Sequence, residues 1–227
     1  MSPTVAPYGT WNSNITPETL TERTVVLSQV RVDGPDIYWV ENNPRRPGRN
    51  VLLRRNALRQ TGEALPLLEG SRLPHVETLV HGRGGKAYTA RDGVIVFSDG
   101  LDGRVYLTRV AARQRKLTAL TPLGAGHFGD FELDLPRGVV FAVREYEGKD
   151  GGEPENSLVA IPLDGSAARD KDRIRDVFSG TDFVSSPTVS PDGTKLAWLT
   201  WNHPEMPWTK SEIHVGDLDE RGHLTSD

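Results

Sequence analysis

A strand-loop-strand pattern occurs four times along the 227-residue chain, and this repetition restricts the possible folds more than any other feature. Each unit opens with an apolar strand that contains one anchor aromatic. These strands read DIYWVE (36–41), GVIVFSD (93–99), GVVFAVRE (138–145) and KLAWLTW (195–201), with anchors at Trp39, Phe97, Phe141 and Trp198. A polar loop and a second strand follow each of them, the second strands beginning near Asn50, Arg104, Ser157 and Glu212.

The spacing of the anchors indicates the type of repeat. Successive anchors are 58, 44 and 57 residues apart, close to the ~40–50 residue period of propeller blades, and the surplus lies in Pro- and Gly-rich loops. The pattern therefore predicts an all-β fold: a partial β-propeller of about four blades, each a four-stranded antiparallel sheet, over residues 25–227. A short arm, residues 1–24, precedes it.

Tight turns between these strands are predicted by Asp-Gly pairs, which suit the positive φ angles of hairpin turns. Calcium binding is the alternative for Asp-rich loops, but none of them matches the spacing of a calcium-binding loop. We therefore predict no metal site. The seven pairs begin at Asp33, Asp92, Asp99, Asp102, Asp150, Asp164 and Asp192.

The segment 183–201 predicts a hairpin that turns at Pro191-Asp192-Gly193. Side chains alternate along a strand, so Leu196 and Trp198 share one face and Ala197 and Leu199 the other. Both faces are apolar, as expected where sheets stack face to face around a channel.

The remaining composition argues mainly against other classes of protein. With 31 acidic and 27 basic residues spread along the chain, the net charge of −4 favours neither nucleic acid nor an anionic membrane. There is no cysteine and no apolar run of membrane-spanning length. The N-terminus lacks the features of a secretory signal, so we expect a cytoplasmic protein. In the arm, Thr16 and Pro17 predict the start of a short helix over 16–20.

An arginine cluster surrounds one Pro-Gly loop. We interpret it as a solvated loop and strand edge, with a partner-docking face as the alternative. Its members are Arg45, Arg46, Arg49, Arg54, Arg55 and Arg59.

No catalytic residue is predicted in this chain. The nucleophile elbow G-x-S-x-G is absent, and Ser185, Ser186 and Ser190 lie at strand or turn positions without a recognisable base. The six histidines form no H-x-H or H-x-x-x-H pair, so neither a metal nor a cofactor is expected.

Two short stretches are candidates for contact with a substrate. HGRGGKAY (81–88) offers His81, Arg83 and Lys86 among glycines, but its spacing fits no phosphate-binding loop, so we expect a strand start that faces a channel ligand. Arg144 and Glu145 end a strand of the third unit. We interpret them as a local ion pair or, alternatively, as charged contacts at the channel mouth.

Several segments resemble the N-terminal β-propeller of prolyl oligopeptidase family enzymes, in particular the acylaminoacyl-peptidase and dipeptidyl-aminopeptidase-like members, which include puromycin hydrolases. The resemblance runs in order through nearly the whole chain, and W-x-H-P-x-M-P-W is its most specific motif. The segments are YGTWNSNIT (8–16), LSQVRVDGPDIYWVE (27–41), DFVSSPTVSPDGTKLAWLTWNHPEMPW (182–208) and EIHVGDLDERG (212–222).

The resemblance implies a division of labour. In that family a propeller, commonly of seven blades, caps a C-terminal α/β-hydrolase domain that carries the Ser-Asp-His triad. This chain would supply about four blades, would be truncated before the triad, and would gate access for short peptides or aminoacyl amides. Such relatives usually read close to VHEYGGGAY where this chain has VHGRGGKAY, so Gly82 replaces an acidic residue.

Two further interpretations remain open from the sequence. The chain could be a stand-alone binding or scaffold propeller whose channel loops hold a ligand or protein. It could also be an independent enzyme, although no nucleophile and base are recognisable together.

Overall fold

The structure is a computed structural model and describes residues 5–10, 13, 15–17, 19, 25–42, 49–59, 64–68, 73–111, 116–146 and 152–226. Sixteen strands lie within these ranges. They are β1 Val26–Asp33, β2 Asp36–Asn42, β3 Asn50–Asn56, β4 Leu65–Pro66, β5 Tyr88–Arg91, β6 Val94–Ser98, β7 Val105–Arg109, β8 Thr118–Ala119, β9 His127–Asp134, β10 Val139–Tyr146, β11 Glu155–Pro162, β12 Arg175–Ser179, β13 Phe183–Val189, β14 Lys195–Trp201, β15 Glu212–Leu218 and β16 Leu224–Ser226.

The strands form four antiparallel sheets of four strands each, in the order of the chain. Sheet 1 holds β1–β4, sheet 2 β5–β8, sheet 3 β9–β12 and sheet 4 β13–β16, and strands that are consecutive in the chain pair within each sheet. This architecture confirms the predicted partial β-propeller of about four blades. The two strands that the sequence pattern located in each unit are the central pair of each sheet.

Helical structure is limited to short pieces in the described ranges. They are helical backbone at Pro17 and Thr19 in the arm, the turn α1 Val80–Arg83 and the 3₁₀ helices Ser166–Arg169 and Lys171–Arg173. None of the described helices has the length and apolar character of a membrane span. In the arm, the backbone N–H groups of Thr16 and Thr19 each donate to the other's hydroxyl (2.7 and 3.2 Å). This reciprocal capping agrees with a helix start at Thr16. Residues 18 and 20 of the predicted helix, and the arm boundary at 24, lie outside the described residues.

The core lies between the sheets, because each inner sheet is apolar on both faces. In β10, Val140 and Ala142 pack towards sheet 2, whereas Phe141 and Val143 pack towards sheet 4. This is the two-sided pattern that strand alternation predicts. Further apolar clusters fill the spaces between the sheets, for example Tyr38, Leu52, Tyr88 and Phe97 between sheets 1 and 2.

Within the described part of the chain, sheet 4 packs against another sheet on only one of its faces. The predicted hairpin is confirmed, since β13 pairs with β14 and the N–H of Gly193 donates to the carbonyl of Ser190. Leu196 and Trp198 are buried against sheet 3, as part of the same core cluster. On the opposite face, the cross-strand pairs Ala197–Val215 and Leu199–Ile213 leave Ile213 74% and Val215 53% exposed.

Asp-Gly pairs provide several of the hairpin turns, as predicted. Asp92 and Gly93 connect β5 to β6 with φ angles of 51° and 70°, which is the backbone geometry of a two-residue type I′ turn. In the β13–β14 turn, hydrogen bonds from Ser190 and Thr194 lower the pKa of the Asp192 carboxyl to about 2. Asp150 lies outside the described residues.

Hydrogen bonds also join neighbouring sheets at the end of the blades where the first strand of each sheet turns into the second. We call this the hairpin end. The carboxylate of Asp33 accepts hydrogen bonds from the N–H groups of Asp92 and Gly93 (2.9 and 2.8 Å). Arg91 donates to the carbonyl of Leu133 (2.5 Å) in sheet 3. In turn, Arg137 of sheet 3 donates to two carbonyls of sheet 4, those of Gly193 (2.7 Å) and Asp219 (3.0 Å).

A second set of hydrogen bonds joins the first strands of the sheets. Gln29, Asp130 and Ser186 lie at register shifts in β1, β9 and β13 and have φ angles of 54°, 50° and 53°. The Asp130 carboxylate accepts from the N–H of Lys86 (2.7 Å), just before β5 of sheet 2, and from the N–H of Ser186 (3.1 Å) in sheet 4. One buried side chain thus links three blades.

Candidate functional site

All five predicted contact residues map to one end of the blades, opposite the hairpin clamps. We call it the loop end, because the chain passes there from each sheet to the next. It comprises the starts of the first and third strands and the ends of the second and fourth strands. His81, Arg83 and Lys86 lie just before β5, and Arg144 and Glu145 lie near the end of β10.

The connection between sheets 1 and 2 reaches across to sheets 3 and 4. Val80 is fully buried and packs with Phe141, Val184 and Trp198. The loop that leads to sheet 2 therefore covers the region where sheets 3 and 4 meet. This crossing positions the next residue, His81, against the loop end of those two sheets.

The backbone of this connection is held in an uncommon conformation. His81 and Gly82 have φ angles of 53° and 61°, in the left-handed region where non-glycine residues are uncommon. The N–H of His81 donates to Glu145 Oε2 at 3.0 Å. Two of the predicted residues, His81 and Glu145, are thus in direct contact.

Aromatic rings surround His81. Its ring centroid lies 5.3 Å from that of Trp201 and 6.0 Å from that of Phe183. Phe183 in turn stacks on Trp201 at 5.1 Å and meets His203 edge-on at 4.9 Å. We call these five residues, His81, Glu145, Phe183, Trp201 and His203, the loop-end cluster.

The W-x-H-P-x-M-P-W motif contributes part of this cluster and the loop that follows it. The N–H of His203 donates to Asp182 Oδ2 (2.8 Å), and the N–H of Asp182 donates to Asn202 Oδ1 (2.7 Å). Trp208 is 76% exposed. A pocket of about 250 Å³ lies beneath the loop, lined by residues that include Trp201, His203, Glu205 and Glu212.

Lys86 is held through its backbone rather than its side chain. The backbone of Lys86 is fixed on both sides by Asp130, while the residue itself is exposed. Its neighbour Tyr88 donates its hydroxyl to the carbonyl of Gln29 (2.5 Å), and burial raises the pKa of that phenol well above its ordinary value. The side chain of Arg83 lies outside the described part of the chain.

Arg144 and Glu145 do not form the local ion pair that we expected. Consecutive residues of a strand project to opposite faces, so Glu145 faces the side of sheet 4 and Arg144 the side of sheet 2. Arg144 pairs instead with Asp176, Nη2 to Oδ1 at 2.6 Å, and Glu145 accepts from His81.

The arginine cluster also has structural contacts. Arg54 pairs with Asp36 at 2.8 Å, and Arg49 donates to the carbonyl of Leu73 at 2.5 Å. Arg45 and Arg46 lie outside the described residues, so a docking face there stays a prediction.

The loop-end cluster shows no assembled hydrolytic machinery in the described residues. Thr200 and His214 hydrogen-bond at 2.9 Å, which resembles a nucleophile beside a base. Thr200 is only 2% exposed, however, and His214 stacks on buried Trp198 at 5.3 Å. The pair is therefore a packed element of sheet 4. No group of three or more His, Cys, Asp or Glu residues in the described ranges could hold a metal ion.

The motif around Trp201 and His203 is recognisable in the sequence, but neither residue was predicted to belong to the site. It also gave no signal for Phe183, which is remote from His81 in the chain. The aromatic content of the motif was the only hint. The crossing of the loop from sheet 1 to sheets 3 and 4 is what brings these residues together.

Four consecutive antiparallel sheets, packed face to face with an aromatic and histidine cluster at their loop end, define the chain as a partial β-propeller. No family model matches it, and no curated protein matches it. Several solved structures, however, are similar to this chain. A puromycin hydrolase aligns over 99% of this chain with 30% identity and a TM-score of 0.84. A puromycin-hydrolyzing peptidase of Mycobacterium tuberculosis aligns over 99% with 31% identity and a TM-score of 0.81.

A structure of prolyl endopeptidases, at 14% identity and a TM-score of 0.56, shares the fold alone. The chain is similar to the propeller portion of puromycin hydrolases, which are members of the prolyl oligopeptidase family. It spans about a third of the length of these relatives, 35% of each.

Proposed function

We propose that this chain is the non-catalytic, substrate-gating propeller portion of a serine peptidase that acts on short peptides or aminoacyl amides. The observation that carries the proposal is the 30–31% identity to puromycin hydrolases over 99% of the chain. Its partner is a C-terminal α/β-hydrolase domain that supplies the triad. The acylaminoacyl-peptidase or dipeptidyl-aminopeptidase-like character and the cytoplasmic location expected from the sequence belong to this proposal.

The loop-end cluster is the part of the propeller that contacts the substrate. Glu145 places a carboxylate at the backbone of His81, whose ring contacts those of Phe183 and Trp201. A carboxylate beside aromatic faces suits a ligand that carries both an ammonium group and an apolar side chain. An aminoacyl amide has both features. Glu145 would thus provide a negative charge beside the residue that precedes Gly82, the position where the family resemblance implies an acidic residue.

The gating role makes a clear prediction for the purified chain. Acyl transfer by a serine peptidase needs an activated serine, a base and an oxyanion site, and the sequence contains no G-x-S-x-G. We expect the chain to hydrolyse no aminoacyl amide and to remain unlabelled by a fluorophosphonate. Mass spectrometry of the treated protein measures labelling, and stoichiometric modification of one serine would overturn the non-catalytic assignment.

Puromycin itself tests the substrate-contacting role. We expect saturable binding of puromycin to the purified chain by NMR titration, and binding about tenfold weaker in Glu145→Gln. Glutamine keeps the acceptor for the His81 N–H and removes only the charge. Glu220→Gln, an exposed position at the hairpin end, is the matched control. Equal affinity in wild type and Glu145→Gln would refute the role of this carboxylate.

A further inference from the structure

A second crevice opens at the loop end between sheets 2 and 3, away from the loop-end cluster. Its volume is about 510 Å³, within the range of about 300–1,000 Å³ that is usual for small-molecule sites. We call it the Arg144 crevice. Its walls are formed by Gly124, Ala125, Arg144, Tyr146, Lys171, Asp172, Ile174 and Asp176.

Arg144 lies in the wall of this crevice and contacts Tyr146 and Asp176. The carbon of its guanidinium lies 5.1 Å from the ring centroid of Tyr146, and its Nη2 donates to Asp176. A Cβ on Gly126 would lie 3.2 Å from Arg144 Cγ, so this glycine leaves room for the arginine stem. The side chain of Arg144 is 17% exposed.

The hydrogen bonds of Arg144 are incomplete. A guanidinium has five N–H donors, and the described residues provide a partner only for Nη2. Nε is buried without a partner. Arg137 offers a contrast, because its Nε, Nη1 and Nη2 all donate to Asp134, Gly193 or Asp219. Arg137 is therefore a structural clamp, whereas Arg144 retains donor capacity at Nη1 towards the crevice.

The other charges of the crevice balance those of Arg144. Lys171 adds a second cation, and Asp172 and Asp176 add two carboxylates. The side chain of Asp176 is 63% exposed, although one of its oxygens accepts from Arg144. Charges of both signs on the walls of one crevice favour a ligand that itself carries both signs over a simple anion or cation.

We propose that the Arg144 crevice binds a small zwitterion, an α-amino acid or a dipeptide. The ligand's carboxylate meets the Arg144 guanidinium and Lys171, since arginine presents paired donors that match a carboxylate. The ligand's ammonium group meets Asp172 and the outer oxygen of Asp176. Arg144 and Glu145 project to opposite faces of β10, so this site is distinct from the loop-end cluster.

Titration with matched small molecules tests the proposal. The probes are L-alanine, which has both charges, L-alaninamide, which lacks the carboxylate, N-acetyl-L-alanine, which lacks the ammonium group, and inorganic phosphate. We expect saturable binding of L-alanine to the purified chain by NMR, with the other three probes at least about tenfold weaker. Shifts should be confined to amides around residues 124–125, 144–146 and 171–176.

Variants separate the crevice from non-specific binding. Arg144→Met keeps the apolar stem that packs on Tyr146, and should weaken L-alanine binding about tenfold or more. Arg173→Met removes an exposed arginine that pairs with Asp170 at 3.3 Å, does not line the crevice, and should leave the affinity unchanged. Unfolding curves of both variants establish that each is folded.

Three results would overturn the proposal: no saturation by L-alanine, unchanged affinity in Arg144→Met, or binding of phosphate as tight as that of L-alanine. The puromycin titration depends on Glu145 and not on Arg144. Failure of one assignment is therefore distinguishable from failure of the other.

Discussion

Asp130 shows how much of this fold depends on single polar residues. It is 7% exposed, and its two carboxylate oxygens accept hydrogen bonds from the backbones of two different neighbouring sheets. Its own N–H donates to the carbonyl of Lys86 (2.9 Å). Hydrogen bonds to a charged acceptor contribute about 1.5–3 kcal/mol, and buried donors without a partner are costly. Nothing in the local sequence HFGDFELD distinguishes this aspartate from a solvated one.

Substitution of Asp130 tests this linkage. We expect Asp130→Ala to lower the free energy of unfolding by about 3 kcal/mol, because two N–H groups lose their acceptor. Asp130→Asn should cost about half as much, since asparagine tolerates a positive φ and keeps one acceptor oxygen. Urea unfolding measures both. Asp172→Ala, at an exposed position, should stay within about 0.5 kcal/mol of wild type, and an equal loss there would contradict the assignment.

At the scale of elements, the central strands of each sheet were easier to predict than the edge strands. Strands such as β6 and β10 are buried on both faces, so their sequences are continuous apolar runs that stand out. β4 and β8 are only two residues long. They form because a neighbouring strand pairs with them, and two residues are too few to show the alternation of apolar and polar side chains that identifies a strand.

The clamp between sheets 3 and 4 gives a prediction at the same scale. Arg137 bonds the carbonyls of Gly193 and Asp219 and pairs with Asp134, whose side chain is 2% exposed. Removing one partner of a buried ion pair leaves an uncompensated charge, which costs about 3–5 kcal/mol.

We therefore expect Arg137→Met to destabilise the chain by about 3 kcal/mol. Hydrogen exchange should accelerate in β13–β16 more than in β5–β8, because the clamp joins sheet 4 to the rest. Arg173→Met serves as the control. Uniform acceleration across all four sheets would show that Arg137 does not act at this junction.

For the whole molecule, the decisive feature is that the outer face of sheet 4 packs against no other sheet among the described residues. Leu199 and Ala197 lie on this face beside Ile213 and Val215. Ile213 is 74% exposed and Val215 is 53% exposed. The inner sheets bury the equivalent faces against a neighbour. Contiguous exposed apolar surface promotes association.

We expect the isolated chain to self-associate as its concentration rises, and the double variant Ile213→Glu/Val215→Glu to shift it towards the monomer with little loss of stability. Sedimentation velocity over a concentration series measures this. Leu123→Glu, at a 68% exposed loop position, should leave association unchanged. A wild-type chain that stays monomeric throughout would contradict the prediction.

The sequence alone determined the class of fold and the two short stretches proposed as candidates for substrate contact. The informative patterns were the apolar runs around four aromatic anchors, the turn residues between them and the W-x-H-P-x-M-P-W motif. Each involves residues that are close together in the chain, so it can be recognised without the structure. Only the tertiary structure decided which residues meet. Three features depend on how the sheets pack and how a connecting loop crosses them. They are the contact of His81 with Glu145, 64 positions apart in the chain, the hydrogen bonds of Asp130 to two neighbouring blades, and the separation of Arg144 from Glu145. Such contacts leave no periodic trace in the chain.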